Sequence, residues 1–224
     1  MRFSALSLVV AAFVAMSFTA ARAEATSAKT IVIGLDLSKS NPLVKDDAYA
    51  ARVAARTAKE LVALPLKSRV MLRTFGSYDA SANGLKVDQV ISAHARPEAV
   101  AQGIAALVAS VPKLVREGKL TAQGMTNIVP FLDTMSQVVD CHASDTRVIL
   151  VTDGFEDSEY AKLTRRGGKL PAPDAATYEG CDELMILGLG QGGGSPAATA
   201  HLRKEWQAYA TKAGFGRFTG LFDW

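Results

Sequence analysis

Five oxygen-bearing side chains in three separate segments are the residues best placed to do chemistry. Asp36, Ser38 and Ser40 follow the apolar run Ile31–Leu35 as Asp36-Leu-Ser38-Lys-Ser40. Thr126 stands in Gly124-Met-Thr126-Asn, just ahead of a helical pattern, and Asp153 follows the apolar run in Val148-Ile-Leu-Val-Thr-Asp153-Gly. Residues spaced two apart on an extended turn point the same way, so Ser38 and Ser40 can bind one small cation directly while Asp36 acts directly or through a water. Thr126 adds a hydroxyl and Asp153 a second carboxylate. Magnesium demands a near-octahedral shell of hard oxygens and usually keeps waters or borrows ligands from its partner. Two carboxylates balance a divalent charge and neutral hydroxyls do not quench it further. Such a site retains an appetite for one more anionic oxygen, for example the Asp or Glu of a partner protein. Each residue also has an ordinary use as a helix cap or turn former. A motif counts only in its structural context, and here all three segments fall at element junctions.

The elements that must position these donors follow from periodicity. Lys29–Leu37 is a near-continuous apolar run, as expected for a strand buried on both faces of a parallel sheet. Asp46–Leu64 repeats its apolar residues at helical spacing with Arg52, Arg56, Lys59 and Glu60 on the other side, which describes an amphipathic helix. Arg69–Phe75 is a second strand. Asn83-Gly84 supplies hairpin chemistry before a short third strand near Val87–Ser92, which is therefore expected to run antiparallel. Helices are expected at Pro97–Ser110, with a continuation through Lys113–Glu117 allowed, and at Asn127–Val139. The strands Arg147–Thr152 and Glu183–Gly188 follow, then a helix over Ala197–Ala213 and a last strand near Gly216–Thr219. This alternation predicts a doubly wound α/β sheet with helices on both faces. In such sheets ligands bind beyond the carboxyl ends of the strands, where Asp36 and Asp153 both fall. Residues 155–181 break the rhythm, because Gly154, Gly167-Gly168, Pro171, Pro173 and Gly180 interrupt the expected crossover helix.

The arrangement closely resembles the von Willebrand factor A domain with its metal-ion-dependent adhesion site. Asp36, Ser38 and Ser40 match the family's DxSxS, Thr126 its isolated threonine, and Asp153 its later aspartate. The resemblance covers nearly all of residues 24–224. It implies a mostly parallel six-stranded sheet whose third strand is antiparallel, and a binding module, not an enzyme, that holds Mg2+ or another divalent cation such as Mn2+ or Ca2+. The 155–181 segment departs from the clearer helix usual in the family. With its acids Glu156, Asp157 and Glu159 it is read as a solvated acidic loop, or as setting partner choice, or as supplying one acid that occupies the open coordination position and blocks ligand.

Composition narrows the setting. Residues 1–23 have a basic start, an apolar stretch and the small-x-small end Ala21-Arg22-Ala23, the pattern of a cleaved secretory signal. The apolar stretch is short of the roughly 20 residues needed to span a bilayer. Residues 24–224 are then one domain, periplasmic or secreted, with no further span. Without Arg2 and Arg22 the 25 Lys and Arg fall to 23, against 22 Asp and Glu, so charge gives no reason to expect nucleic acid. Arg165, Arg166 and Lys169 read as a solvated loop. Cys141 and Cys181 each precede a strand, and an oxidising compartment favours their pairing over two separate buried thiols. Such a bridge, closing about 40 residues, stabilises by roughly 3–4 kcal/mol on the chain-entropy model.

Other signals compete poorly. Gly188-x-Gly190-x-x-Gly193 matches a dinucleotide fingerprint by letter, yet it comes late and lacks the acidic residue about 20 positions on. His94, His142 and His201 share no metal or triad spacing. No Gly-x-Ser-x-Gly elbow exists, and Asp36-x-Ser lacks the second carboxylate of a phosphate-transferring Asp-x-Asp site. A metal-dependent hydrolase remains the enzymatic alternative, weakened by the absence of a placed general base. A structural subunit of an envelope assembly is the third reading. The final Leu221-Phe-Asp-Trp224 is either a packed end or an exposed aromatic anchor for a partner.

Overall fold

The computed structural model describes residues 27–77, 84–165, 167–192 and 195–224. The signal sequence expected over 1–23, the first part of the hairpin turn at 79–83, Arg166 and Gly193 lie outside those residues. Six strands form one sheet: β1 (Lys29–Asp36), β2 (Arg69–Phe75), β3 (Lys86–Val90), β4 (Asp145–Val151), β5 (Glu183–Leu187) and β6 (Arg217–Leu221), in the order β3-β2-β1-β4-β5-β6. All neighbours are parallel except β2 and β3. Among the described residues four α-helices accompany them, α1 (Asp47–Leu61), α2 (Pro97–Arg116), α3 (Ile128–Ser136) and α4 (Pro196–Ala213), with a short 3-10 turn at Pro42–Val44. The fold is therefore α/β, doubly wound, with one antiparallel strand. Helix α2 is a single helix that continues through Pro112, the longer of the two expected extents.

Side-chain alternation along the strands divides the core. Ile31, Ile33 and Leu35 of β1, with Val70, Leu72, Ile149 and Val151, pack under α1 and α2. Val32, Met71, Val148, Leu150, Leu184 and Ile186 pack on the other face with α3 and α4. Because both faces are covered, Ile31–Leu35 of β1 and Val148–Val151 of β4 carry no polar side chain, which is why they read as continuous apolar runs. Gly34 faces α3, and a Cβ there would lie 2.8 Å from both Leu150 Cδ2 and Phe131 Cε1. The close approach of α3 to the sheet thus requires glycine.

Among its described residues the segment between β4 and β5 contains no helix. It covers the second face with isolated side chains: Leu163, Tyr178 and Cys181 are buried in that core. Tyr178 stacks on Phe215 with ring centroids 4.3 Å apart, and its hydroxyl donates to the Leu132 carbonyl of α3 at 2.5 Å. His201 Nε2 meets the Gly168 carbonyl at 2.7 Å, tying the segment to α4. Cys141 and Cys181 form the disulfide, with Cα atoms 4.6 Å apart. It lies at the amino-terminal edge of β4 and β5.

The chain end is not a free anchor. Trp224 packs edge-on against Tyr49 of α1 at 5.8 Å between centroids, while Phe222 stays half exposed. The glycines after β5 have local uses: Gly188 and Gly190 adopt positive φ where the turn runs close to Tyr49 and to Thr199 of α4.

Candidate metal centre

Strands β1 and β4 are adjacent, and their chains leave toward opposite sides of the sheet, to β2 and β5. That point is the switch crevice where doubly wound sheets bind ligands. Asp36 ends β1, and Asp153 lies two residues past the end of β4. An open cavity of about 440 Å³ sits over them, and its lining includes Ser38, Ser40, Thr126 and Asp153 together with Gln123, Asp157 and Gly192. Four of the five sequence-predicted donors therefore share one cavity. The fifth, Asp36, is fully buried beneath it.

Each donor is delivered by a definable contact. Past β1 the chain is held by Leu37 N–H to Phe75 O (2.8 Å), Gln123 N–H to Leu37 O (2.8 Å) and Lys39 N–H to Gln123 O (2.9 Å). This brings Ser38 and Ser40 to the rim with their hydroxyl oxygens 3.1 Å apart. The same pairing carries the 120s segment across the crevice. Thr126 is then fixed by two backbone bonds with Asp157, at 3.2 and 3.0 Å.

Asp36 has both carboxylate oxygens engaged, Oδ1 by the Ser38 amide at 2.7 Å and Oδ2 by the Thr152 hydroxyl at 2.7 Å. Burial and the neighbouring Asp153 push its pKa up to about 7, against the opposing hydrogen bonds from Thr152 and Ser38. Asp153 differs. Its Oδ1 accepts from the Phe155 amide at 3.0 Å, but Oδ2 is buried with no hydrogen-bond partner. Burial also raises the Asp153 carboxyl, offset in part by the nearby Ser40 hydroxyl, the Phe155 amide and Lys45. The Ser40 hydroxyl is thus near enough to act on the carboxylate without completing a bond at Oδ2.

Two desolvated acids, Asp36 raised in part by Asp153 and Asp153 carrying an orphaned oxygen, form an acidic crevice that Lys45 offsets only in part and that Lys39 borders. The donors present are hydroxyls and carboxylate oxygens, which suit a hard divalent cation. Among the described residues no group of three or more His, Cys, Asp or Glu side chains could hold a metal, so any cation here depends on the serine and threonine hydroxyls.

Asn41 and Thr152, missed by sequence reasoning, and Glu156, given another role by it, complete the frame. Asn41 is fully buried, and its Nδ2 donates to the Asp36 carbonyl at 2.8 Å and to the Val151 carbonyl at 3.0 Å. It clamps the ends of β1 and β4 together. Asn before Pro42 signals a cap, and its Oδ1 does accept from Leu43 N–H, but the cross-strand bond has no local signal. Thr152 was visible only as part of Val-Thr-Asp-Gly. Glu156, read as a solvated acid or as a plug for the metal, is neither: it is fully buried and its Oε2 accepts from the Ile128 and Val129 amides at 2.7 and 3.1 Å. It caps α3 because exposed helix-start amides attract a carboxylate. Burial pushes its pKa up to about 7, against those bonds and the Ser158 hydroxyl. Asp157 borders the cavity and pairs with Lys162 at 3.0 Å, and Glu159 is exposed.

No family model and no curated protein matches the chain. Among solved structures, an aerotolerance-related membrane protein from Bacteroides fragilis NCTC 9343 with multiple mutations to serines is similar at 13% identity and a TM-score of 0.45, over 86% of this chain and 90% of that one. The conserved hypothetical protein BatB from Bacteroides thetaiotaomicron is similar at 15% identity and a TM-score of 0.46, over 87% and 91%.

Proposed function

We propose that this chain is an exported binding module of the von Willebrand factor A type, which holds Mg2+ or a similar divalent cation and captures an acidic side chain of a partner protein through it. The observation that carries this reading is the buried, unpartnered Oδ2 of Asp153 in a cavity that also gathers the hydroxyls of Ser38, Ser40 and Thr126. Those four residues would hold the cation. Asp36 would act from beneath, orienting the Ser38 backbone and the Thr152 hydroxyl. When bound, the cation supplies a positive centre with coordination positions left for an anionic oxygen. We read the hydroxyls and carboxylates around the cavity as cation ligands and not as a nucleophile with its base. The disulfide fits an oxidising compartment and so supports a periplasmic or secreted location.

The test is calorimetric titration of Mg2+ into the protein and into Asp153→Ala, followed by affinity capture from the native envelope with Mg2+ and with chelator in parallel. Binding is expected for the unaltered chain alone, with capture lost in chelator. Identical proteins captured under both conditions would sink metal-mediated recognition.

A further inference from the structure

Asn127 precedes α3, at the position where an asparagine ordinarily accepts hydrogen bonds from first-turn amides. Those amides are already used, since Ile128 and Val129 N–H both go to Glu156. The third helical residue, Pro130, has no N–H to offer. The Asn127 side chain is therefore surplus to the helix. It is only 3% exposed, and neither its Nδ2 nor its Oδ1 has a hydrogen-bond partner. Native folds rarely leave a buried amide in that state unless something outside the chain completes it.

The amide borders a second cavity of about 430 Å³ between β2 and α3, separate from the metal crevice. Phe75 and Phe131, stacked at 4.6 Å between centroids, form its floor with Pro130 and Met135. Val138, exposed at its edge, extends the apolar surface outward. Arg73 and Lys86 line it too, and no Asp or Glu does among the described residues. Arg73 is already engaged by Asp88 at 3.6 Å and by the Val87 carbonyl, which leaves Lys86, among the described residues, as the cation free to meet an anion. An apolar floor, one unsatisfied donor beside one unsatisfied acceptor, and that lysine describe a ligand with three matching parts.

We infer that this cavity binds an extended acidic peptide segment of a partner protein. An apolar side chain sits on the Phe75–Phe131 floor, the adjacent backbone amide pairs with the Asn127 carboxamide, and a neighbouring carboxylate faces Lys86. A backbone amide offers the donor and acceptor that a carboxamide complements, and the volume lies within the range of ordinary ligand pockets.

The probe is N-acetyl-Leu-Asp-amide, titrated into the 15N-labelled protein in chelator, so that the result does not depend on the metal reading. The Asn127 side-chain amide signals are expected to shift. Asn127→Leu should weaken the probe by about tenfold or more without lowering the melting temperature, because it removes an unsatisfied amide. N-acetyl-Leu-Lys-amide should bind more weakly than the acidic probe. No shift at millimolar probe, or equal binding to Asn127→Leu, would overturn the proposal. Equal binding of isobutyramide would also overturn it, assigning the cavity to a small carboxamide. If Asn127→Leu does not fold, Lys86→Glu and Val138→Asp decide at exposed positions, and unchanged binding in both overturns the proposal.

Discussion

Removing Asp36 would leave the Ser38 amide and the Thr152 hydroxyl buried without an acceptor, each costing about 1–3 kcal/mol. Asp36→Ala should therefore lower the unfolding free energy measured in urea by about 2–4 kcal/mol. Asp153→Ala removes a carboxylate with one oxygen unpaired, so in chelator its melting temperature should stay level or rise while magnesium binding disappears. An equal loss of stability in both variants would make Asp153 a structural residue and remove the main support for the cation. The pH dependence follows from the same burial. Asp36, Asp153 and Glu156 all have carboxyls raised above their ordinary values, two of them to about 7. A carboxyl raised in the folded state favours folding below its unfolded pKa, and that contribution is lost as pH rises through the folded value. In chelator the melting temperature should thus decline between about pH 4 and pH 7 on account of these groups. The cation needs the ionised forms, so the stabilisation that magnesium adds should be larger at pH 8 than at pH 5, as read by thermal melts. That Ser38, Ser40, Thr126 and Asp153 come to one cavity with Asp36 buried near it was legible, because each segment stands at an element junction that the apolar periodicity marks. Asn41, Thr152 and Glu156 were not, since each acts through a partner brought near only by the fold.

At the scale of elements, the helix start of α3 is held from outside. Glu156→Ala should destabilise by about 1–2 kcal/mol, the usual cost of a lost cap, with exchange of the Ile128 and Val129 amides accelerated more than that of β1. Uniform acceleration would mean that Glu156 serves the fold generally. In the β4–β5 connection, Tyr178→Ala should cost about 3–5 kcal/mol, as for large aromatics removed from cores, measured by urea unfolding. A value under about 1 kcal/mol would show the segment to be only draped over the sheet. Strands and helices with regular periodicity were readable to within a few residues, β2 and α2 among them. The β4–β5 connection was legible only as an interruption. Its glycines and prolines exclude a helix, but the insertion of Tyr178 between Phe215 and Leu132 depends on pairings with no sequence period.

Across the whole molecule, the disulfide and the cavity occupy opposite ends of the same strands. Reduction, or Cys141→Ser with Cys181→Ser, should lower stability by roughly 3–4 kcal/mol if chain entropy governs the effect, as seen in urea melts with and without reductant. Strand directions were deducible in outline, because alternation of strands and helices implies parallel neighbours and Asn83-Gly84 an antiparallel hairpin, whereas the strand order was not read from the sequence. The closure of the crevice was not, since it depends on Asn41 joining two carbonyls from strands more than a hundred residues apart in sequence. That clamp has a mechanical meaning. Anything held over the ends of β1 and β4 pulls lengthwise on the two innermost strands, and Asn41 makes them take the load as a pair. Parallel neighbours β2 and β5 flank them along their length, so the load falls on many hydrogen bonds in shear at once. Tension on a captured partner would meet the strongest direction of the sheet, with no edge from which it could unzip.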